Sequence, residues 1–266
     1  MGKALEIIAG AATAPGATLT GLTMASGDSL TVRKDVSASL PIIISCWAKN
    51  QAAGLFQLLG PGLHDTTRGF RNRVTIGDPE PFIPFGYKQP IPALETLSAQ
   101  ISGSAVAGDL EMAALLIAYE DLQGIQARFI SPDDVKARTE DLVTVEATIT
   151  TTTGPNWTGS ETLTSESDLL KGDRDYALLG MDVGVLCNAV ALRGSDTGNL
   201  RVGLPGNATD KWLTCGWFIH LSLALGQPWI PVINAANKNN TFIEAQQDEN
   251  AAAVPISLIF ALLTEA

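Results

Sequence analysis

A short proline-bounded phrase occurs twice in this chain and constrains its fold more than any other feature. Gln89-Pro90-Ile91-Pro92 returns as Gln227-Pro228-Trp229-Ile230-Pro231, half of the 266-residue sequence further on. Each copy is followed by a small and polar loop, an acidic turn and a long apolar run, Leu110 to Glu120 in the first instance and Val254 to Leu263 in the second. A composite pattern that recurs at such a period points to two copies of one domain. Further anchors recur in the same order. Pro15 meets Pro155, Leu22-Thr23 meets Leu163-Thr164, Ser26 meets Ser167 and Leu30 meets Leu170. Cys46 meets Cys187, and the segment from Phe56 to Gly60 meets that from Val190 to Gly194. The spacing drifts by a few residues, as loop insertions within a duplicated fold make it do.

The local patterns are those of short strands. Residues 3–9 fit a first strand or a short helix, Thr18 to Thr23 alternates Thr with Leu, and Leu30 to Arg33 alternates again. Leu40 to Trp47 is an apolar, β-branched run suited to a strand buried on both faces, with Pro41 at its start where a missing donor is tolerated. Leu55 to Leu59, Phe70 to Ile76 and Leu94 to Ile101 complete the first half, with a proline-dense rigid loop at 78–92. The run at 110–119 has a helix-favouring composition, but its second-half counterpart carries Pro255 and β-branched residues, so both are assigned as strands. Ser131-Pro132-Asp133-Asp134 is a helix start: a capping serine, proline in the first turn and two acids at the positive end of the dipole. Beyond it, Leu142 to Thr150 alternates as a strand. Leu178 to Leu192 reads as two strands or one kinked at glycine, and Leu213 to Leu225 as a strand near the core.

Each half then holds about eight short strands, for which a sandwich of two facing sheets, a jelly roll, is the all-β solution. The expected fold is therefore all-β: two tandem eight-stranded jelly-roll sandwiches at 1–130 and 141–266, joined by a short linker helix at 131–140.

Composition excludes several function classes. The net charge of −11 and the single basic residue, Lys3, in the first 32 residues leave no arm to grip nucleic acid. Arg68, Arg71 and Arg73 form the densest basic cluster and are read as a solvated or interface-pairing loop rather than a phosphate site. Only 17% of residues are charged, which suits a surface buried against neighbours. Cys46, Cys187 and Cys215 have no metal spacing and sit in apolar runs, so free thiols are expected. The start turns acidic at once, without the pattern of a signal peptide, and the apolar runs are too short to span a bilayer. Asn156, Asn207 and Asn239 match the glycosylation acceptor pattern by chance.

Candidate chemistry is sparse. His64 and His220 lack partners at ligand spacing, and His220 fits a core or interface position. No nucleophile elbow, phosphate loop or dinucleotide fingerprint occurs. Glu80, Asp109, Glu111, Glu120, Asp182 and Glu244 are the carboxylates open to a glycosidase, but nothing pairs them in sequence. Asp173, Asp175, Asp248 and Glu249 offer oxygens to a loop-bound calcium ion without matching a calcium loop. Trp157, Trp212, Trp217 and Trp229 offer stacking surfaces to sugars, although Trp217 and Trp229 have the apolar neighbours of core or interface anchors. No catalytic, cofactor-binding or metal residue is assigned, and the chain is read as no enzyme.

Two matched halves, the short linker from Ser131 to Arg138 and long inter-strand loops together resemble the double jelly-roll major capsid proteins of tailless, often membrane-containing phages and adenovirus-like viruses. The resemblance spans the whole chain and rests on architecture, with no signature motif. It implies a homotrimer that forms a pseudo-hexagonal tile of an icosahedral virion shell, made in the host cytoplasm. It also implies other capsid proteins such as vertex proteins as partners, an internal lipid membrane in many members, and loops 78–92, 195–210 and 234–250 as contacts or outer crown. Competing readings are a carbohydrate-binding or tail-associated β-sandwich and a two-jelly-roll glycan hydrolase.

Overall fold

The computed structural model describes residues 2–33, 42–63, 67–81, 89–152, 155–164, 169–248 and 253–265. His64, Ser167, Glu249, Leu40, Pro41 and residues 82–88 of the proline-dense loop lie outside them. In the first half the strands are β1 (Gly2–Thr13), β2 (Thr20–Gly21), β3 (Thr23–Met24), β4 (Ile42–Lys49), β5 (Gly54–Leu59), β6 (Phe70–Val74), β7 (Gln89–Pro90), β8 (Ser98–Ile101) and β9 (Leu110–Leu122). The second half holds β10 (Phe129–Ile130), α1 (Pro132–Arg138), β11 (Thr139–Thr150), β12 (Thr158–Thr162), β13 (Asp175–Val183), β14 (Cys187–Arg193) and β15 (Val202–Gly206). It continues with α2 (Lys211–Cys215), α3 (Trp217–Leu225), β16 (Ile230–Asn234), β17 (Phe242–Gln246) and β18 (Ala253–Leu263).

These strands make four antiparallel sheets, two from each half. The first half gives β3-β1-β9-β4-β7 and β2-β8-β5-β6; the second gives β11-β18-β13-β16-β10 and β12-β17-β14-β15. With the short edge strands β3 and β10 set aside, each half has eight strands. Numbered in chain order they form sheets 1-8-3-6 and 2-7-4-5 in both halves. The irregularities match as well. The first strand of each half slips register against the last, between Gly2 and Ala4 and between Thr139 and Asp141. The third strand slips against the last too, between Ile43 and Ser45 and between Leu178 and Gly180. Bulges bend strands and fix register, so shared bulges reflect the same sheet curvature in both halves.

Local sequence explains the strands unevenly. In β11, Val145, Ala147 and Ile149 are buried while Thr144, Glu146 and Thr148 are exposed, the alternation of a sheet with one wet face. All eight residues of β4 are buried, so this strand has apolar contacts on both sides. In β9, Leu110 to Tyr119 are buried in spite of a helix-favouring composition, because β9 lies between β1 and β4 and is hydrogen-bonded on both edges. Helix α1 has the expected cap: Asp134 N–H donates to Ser131 Oγ at 3.1 Å, and Ser131 N–H donates back to the Asp134 carboxylate at 3.0 Å. Such a box stabilises a helix start by about 1 kcal/mol.

Three expectations need correction. Leu213 to Leu225 is not a strand but the helices α2 and α3. Asp210 caps α2 by accepting from Leu213 N–H at 3.0 Å, and Gly226 ends α3 in the left-handed conformation at φ 63°. Trp217, Phe218, Leu221, Ser222 and Leu225 are the buried positions, a spacing of 3.6 rather than 2. The helices approach β13 closely at Gly180, where a Cβ would lie 2.2 Å from the Thr214 carbonyl oxygen. Leu30 to Arg33 makes a single bridge, Thr31 to Thr96, rather than a strand. Cys46 and Cys187 are not equivalent: Cys46 lies in β4, the third strand of its half, and Cys187 in β14, the fourth.

Candidate functional site

The first sandwich closes around a core of its own, where Ile8, Ile43, Cys46, Leu115 and Ile117 of one sheet meet Phe56, Leu58, Ala99 and Ile101 of the other. The opposite face of β1, β4 and β9 is apolar too. Leu5, Ile7, Ile44, Trp47 and Leu116 from that face share one cluster with Val190, Val202, Leu204 and Trp217 of the second half. The halves are thus joined by a continuous hydrophobic seam rather than by a flexible tether. Trp47 is central to it. It is fully buried, donates from Nε1 to the Asn188 carbonyl at 2.7 Å and meets Trp217 edge-on with centroids 6.1 Å apart.

The seam also carries a polar network. Arg201 donates from Nη1 to Asp28 Oδ1 at 2.7 Å and from Nε to Glu244 Oε2 at 2.7 Å, linking the two halves. Arg193 donates from Nε to the other Glu244 oxygen at 3.0 Å. Asp28 also accepts from Trp157 Nε1 at 2.9 Å and from the Ala9 amide at 2.8 Å, and the Arg201 guanidinium lies 5.1 Å from the Trp157 ring centroid. The Arg201 carbonyl accepts from Ile7 N–H at 2.8 Å. Side-chain exposure is 4% for Asp28, 15% for Arg201 and 6% for Glu244, so these charges interact with little screening. Two carboxylates face two guanidiniums, and the group is neutral. A second cross-seam pair, Lys49 to Asp248 at 2.6 Å, borders an opening of about 730 Å³ lined by Asn50, Leu186 and Gln247 among others.

Burial pushes the Asp28 carboxyl up to about 6, against the opposing pull of Trp157, the Ala9 amide and Arg201. An acid whose pKa is higher in the folded state than its ordinary 3.8 binds its proton more tightly when folded. Its contribution to stability is therefore greatest below about pH 4 and is lost as pH rises through about 6. Asp28→Asn removes that titration. The stability of the parent minus that of the variant is expected to fall by up to about 3 kcal/mol between about pH 4 and pH 7. Denaturant midpoints of both proteins across that range measure it, and a constant difference would refute the assignment.

The carboxylates singled out in the sequence are dispersed. Glu244 belongs to the seam. Asp109 and Glu111 both bind one loop: Ser104 Oγ donates to Asp109, and Ser104 N–H and Gln51 N–H donate to Glu111. Asp182 pairs with Lys211, Glu120 lies towards the end of β9, and Glu80 borders a recess with Arg73 and Asp78. Of the acids considered for calcium, Asp175 binds both Nη atoms of Arg128 and Asp248 binds Lys49, while the Asp173 carbonyl accepts from Asn234. Among the described residues no three His, Cys, Asp or Glu side chains gather as metal ligands. The tryptophans are equally scattered. Trp217 and Trp229 are buried, Trp157 lies against Arg201, and exposed Trp212 stacks on His220, whose Nε2 is 3.2 Å from the Trp212 carbonyl. The three cysteines are free, and burial pushes Cys187 up to about 12, far from the range of a reactive thiolate. Arg71 and Arg73 are exposed on β6, with Arg71 Nε donating to Gln57 at 3.0 Å.

Sequence reasoning missed Asp28, Arg193 and Arg201. Their partners lie up to 173 residues away, and of the network only Glu244 and Trp157 are singled out in the sequence, each for a different reason. No local spacing signals such a network.

No protein-family model matches the chain, and no curated protein matches it. Among solved structures the chain is similar to the crystal structure of PBSX exported protein XepA, with 10% identity, coverage of 96% of this chain and 86% of that one, and a TM-score of 0.28. A likeness of that size carries no argument about function.

Proposed function

We propose that the chain is a double jelly roll and a structural protein, a viral major capsid protein whose trimers tile an icosahedral shell. The observation that carries the reading is the strand order 1-8-3-6 over 2-7-4-5, which occurs in both halves. Two facing four-stranded sheets of that order make an eight-stranded jelly roll. The halves are held face to face by an apolar seam with an internally neutralised ion network, which suits a rigid building block more than a pair of moving domains. The acids and tryptophans that a hydrolase or a sugar-binding groove would bring together are dispersed. In this reading the protein acts by self-association, with vertex proteins and an internal membrane as further partners and no contact with the genome.

The test is the assembly state of the purified protein. Light scattering and negative-stain electron microscopy are expected to reveal trimers, or shells built from them, at micromolar concentration. A monomer that persists to high concentration at low salt would overturn the proposal.

A further inference from the structure

The start of β1, strand β10, the end of α1 and the start of β13 converge on an opening of about 560 Å³. Lys3, Arg128 and Arg138 line it against a single carboxylate, Asp175. That is an excess of two positive charges in a chain whose net charge is −11. Other openings lack such an excess. The adjoining one, of about 220 Å³, shares Arg128, Arg138 and Asp175 but adds Arg174, Asp173 and Glu265, so its charges cancel. The opening at Lys49 and Asp248 is neutral, and Arg73 meets both Asp78 and Glu80 in its recess.

The three cations differ in what they already bind. Arg128 is committed, since Asp175 accepts from its two Nη atoms at 2.7 and 2.9 Å. Arg138 is not. Among the described residues it makes no ion pair, its Nη2 donates to the Thr264 carbonyl at 2.8 Å, and its buried Nε has no partner. Most of its donors are therefore unused. Lys3 is positioned by Trp229, with Nζ 4.8 Å from the ring centroid, and Phe129 meets the same ring edge-on at 5.4 Å. The acids close by are taken: Glu140 pairs with Arg174, and Asp196 accepts from Asn234 and Asn237. Phe129, Ile130 and Val232 add apolar walls.

A guanidinium fork suits two oxygens of a tetrahedral anion, and an ammonium supplies a point charge to a third. An excess of two charges is cancelled by a phosphate monoester, which approaches two negative charges at neutral pH. A carboxylate or a phosphate diester brings only one. We infer that this opening binds a phosphate monoester, held by Arg138 and Lys3, with any apolar substituent against Phe129 and Ile130. The phosphate comes from solution or from the headgroup of an anionic lipid. The site does not rest on the self-assembly reading.

Calorimetric titration of the full chain at low salt tests it with three probes. They are inorganic phosphate, short-chain phosphatidic acid below its micelle concentration, and phosphatidylcholine with the same chains, whose phosphate is a diester without net charge. Phosphatidic acid is expected to bind and phosphatidylcholine is not. Phosphatidic acid that binds at least about tenfold tighter than phosphate assigns the site to a lipid headgroup, and equal affinity assigns it to free phosphate. Arg138→Gln and Lys3→Gln are each expected to raise the dissociation constant at least about tenfold, whereas Arg73→Gln on β6 leaves it unchanged. Thermal melting checks folding, because Arg138 also holds the Thr264 carbonyl. Should Arg138→Gln fail to fold, Lys3→Gln carries the test. The proposal is overturned if neither phosphate probe binds, if phosphatidylcholine binds as tightly as phosphatidic acid, or if the folded variants bind like the parent. A protein that binds phosphate but stays monomeric sinks the self-assembly reading and leaves this one standing.

Discussion

Arg201→Met is expected to destabilise the protein by about 3–5 kcal/mol, the cost of leaving buried charges without their partner. Methionine keeps much of the apolar stem but withdraws the guanidinium from Asp28 in the first half and Glu244 in the second. Glu244 still has Arg193, whereas Asp28 is left with neutral donors, the Trp157 ring N–H and the Ala9 amide. Most of the loss therefore falls on Asp28, and it shrinks as the pH falls through about 6, where that carboxyl takes up a proton. Arg201→Lys restores charge but not the fork that reaches two carboxylates, and an intermediate loss is expected. Chemical unfolding at pH 5 and pH 7 checks both statements. A Met variant whose stability equals the parent's at pH 7 would remove the network from the list of what holds the halves together.

Trp47→Ala tests the apolar part of the same seam, with an expected loss of about 3–5 kcal/mol from a cavity at a fully buried site. The loss includes the edge contact to Trp217 and the hydrogen bond to the Asn188 carbonyl. Trp47→Phe separates the two contributions. It keeps most of the packing and strands the carbonyl, at a cost of about 1–3 kcal/mol. Since Trp47 belongs to the first half and its partners to the second, Trp47→Ala also reduces the cooperation between halves. Calorimetry is expected to show its single transition broaden or divide, while Trp47→Phe retains one.

Part of this architecture was legible in the sequence because turn residues recur in the same order in both halves. Pro15 and Pro155 do lie between the first and second strands of their halves, and Phe56 and Val190 do lie in equivalent fourth strands. Helix α1 was legible because capping is local chemistry, written within four residues from Ser131 to Asp134. The pairing of Cys46 with Cys187 was misleading. A small apolar residue in an apolar run suits any buried strand, and one shared identity cannot tell the third strand from the fourth. Helices α2 and α3 were misread because Trp217, Phe218 and Ile219 favour strands, while the decisive signals, Asp210 and Gly226, lie outside the apolar run. The seam was illegible for a different reason. It depends on which faces of two sandwiches meet, and no residue's neighbours in sequence carry that information.

The position of β18 has a consequence for synthesis. It is the last strand in chain order, yet it lies in the middle of its sheet, between β11 and β13. On the ribosome the first sandwich gains its central strand, β9, while the second half is still being made. The second sandwich waits in turn for β18, since β11 and β13 are bridged only by that strand. During that interval Trp47, Ile44 and Leu116 present an apolar sheet face with no cover. A nascent chain of this kind is a natural client for a chaperone and a natural victim of premature pairing with its neighbour on the same message.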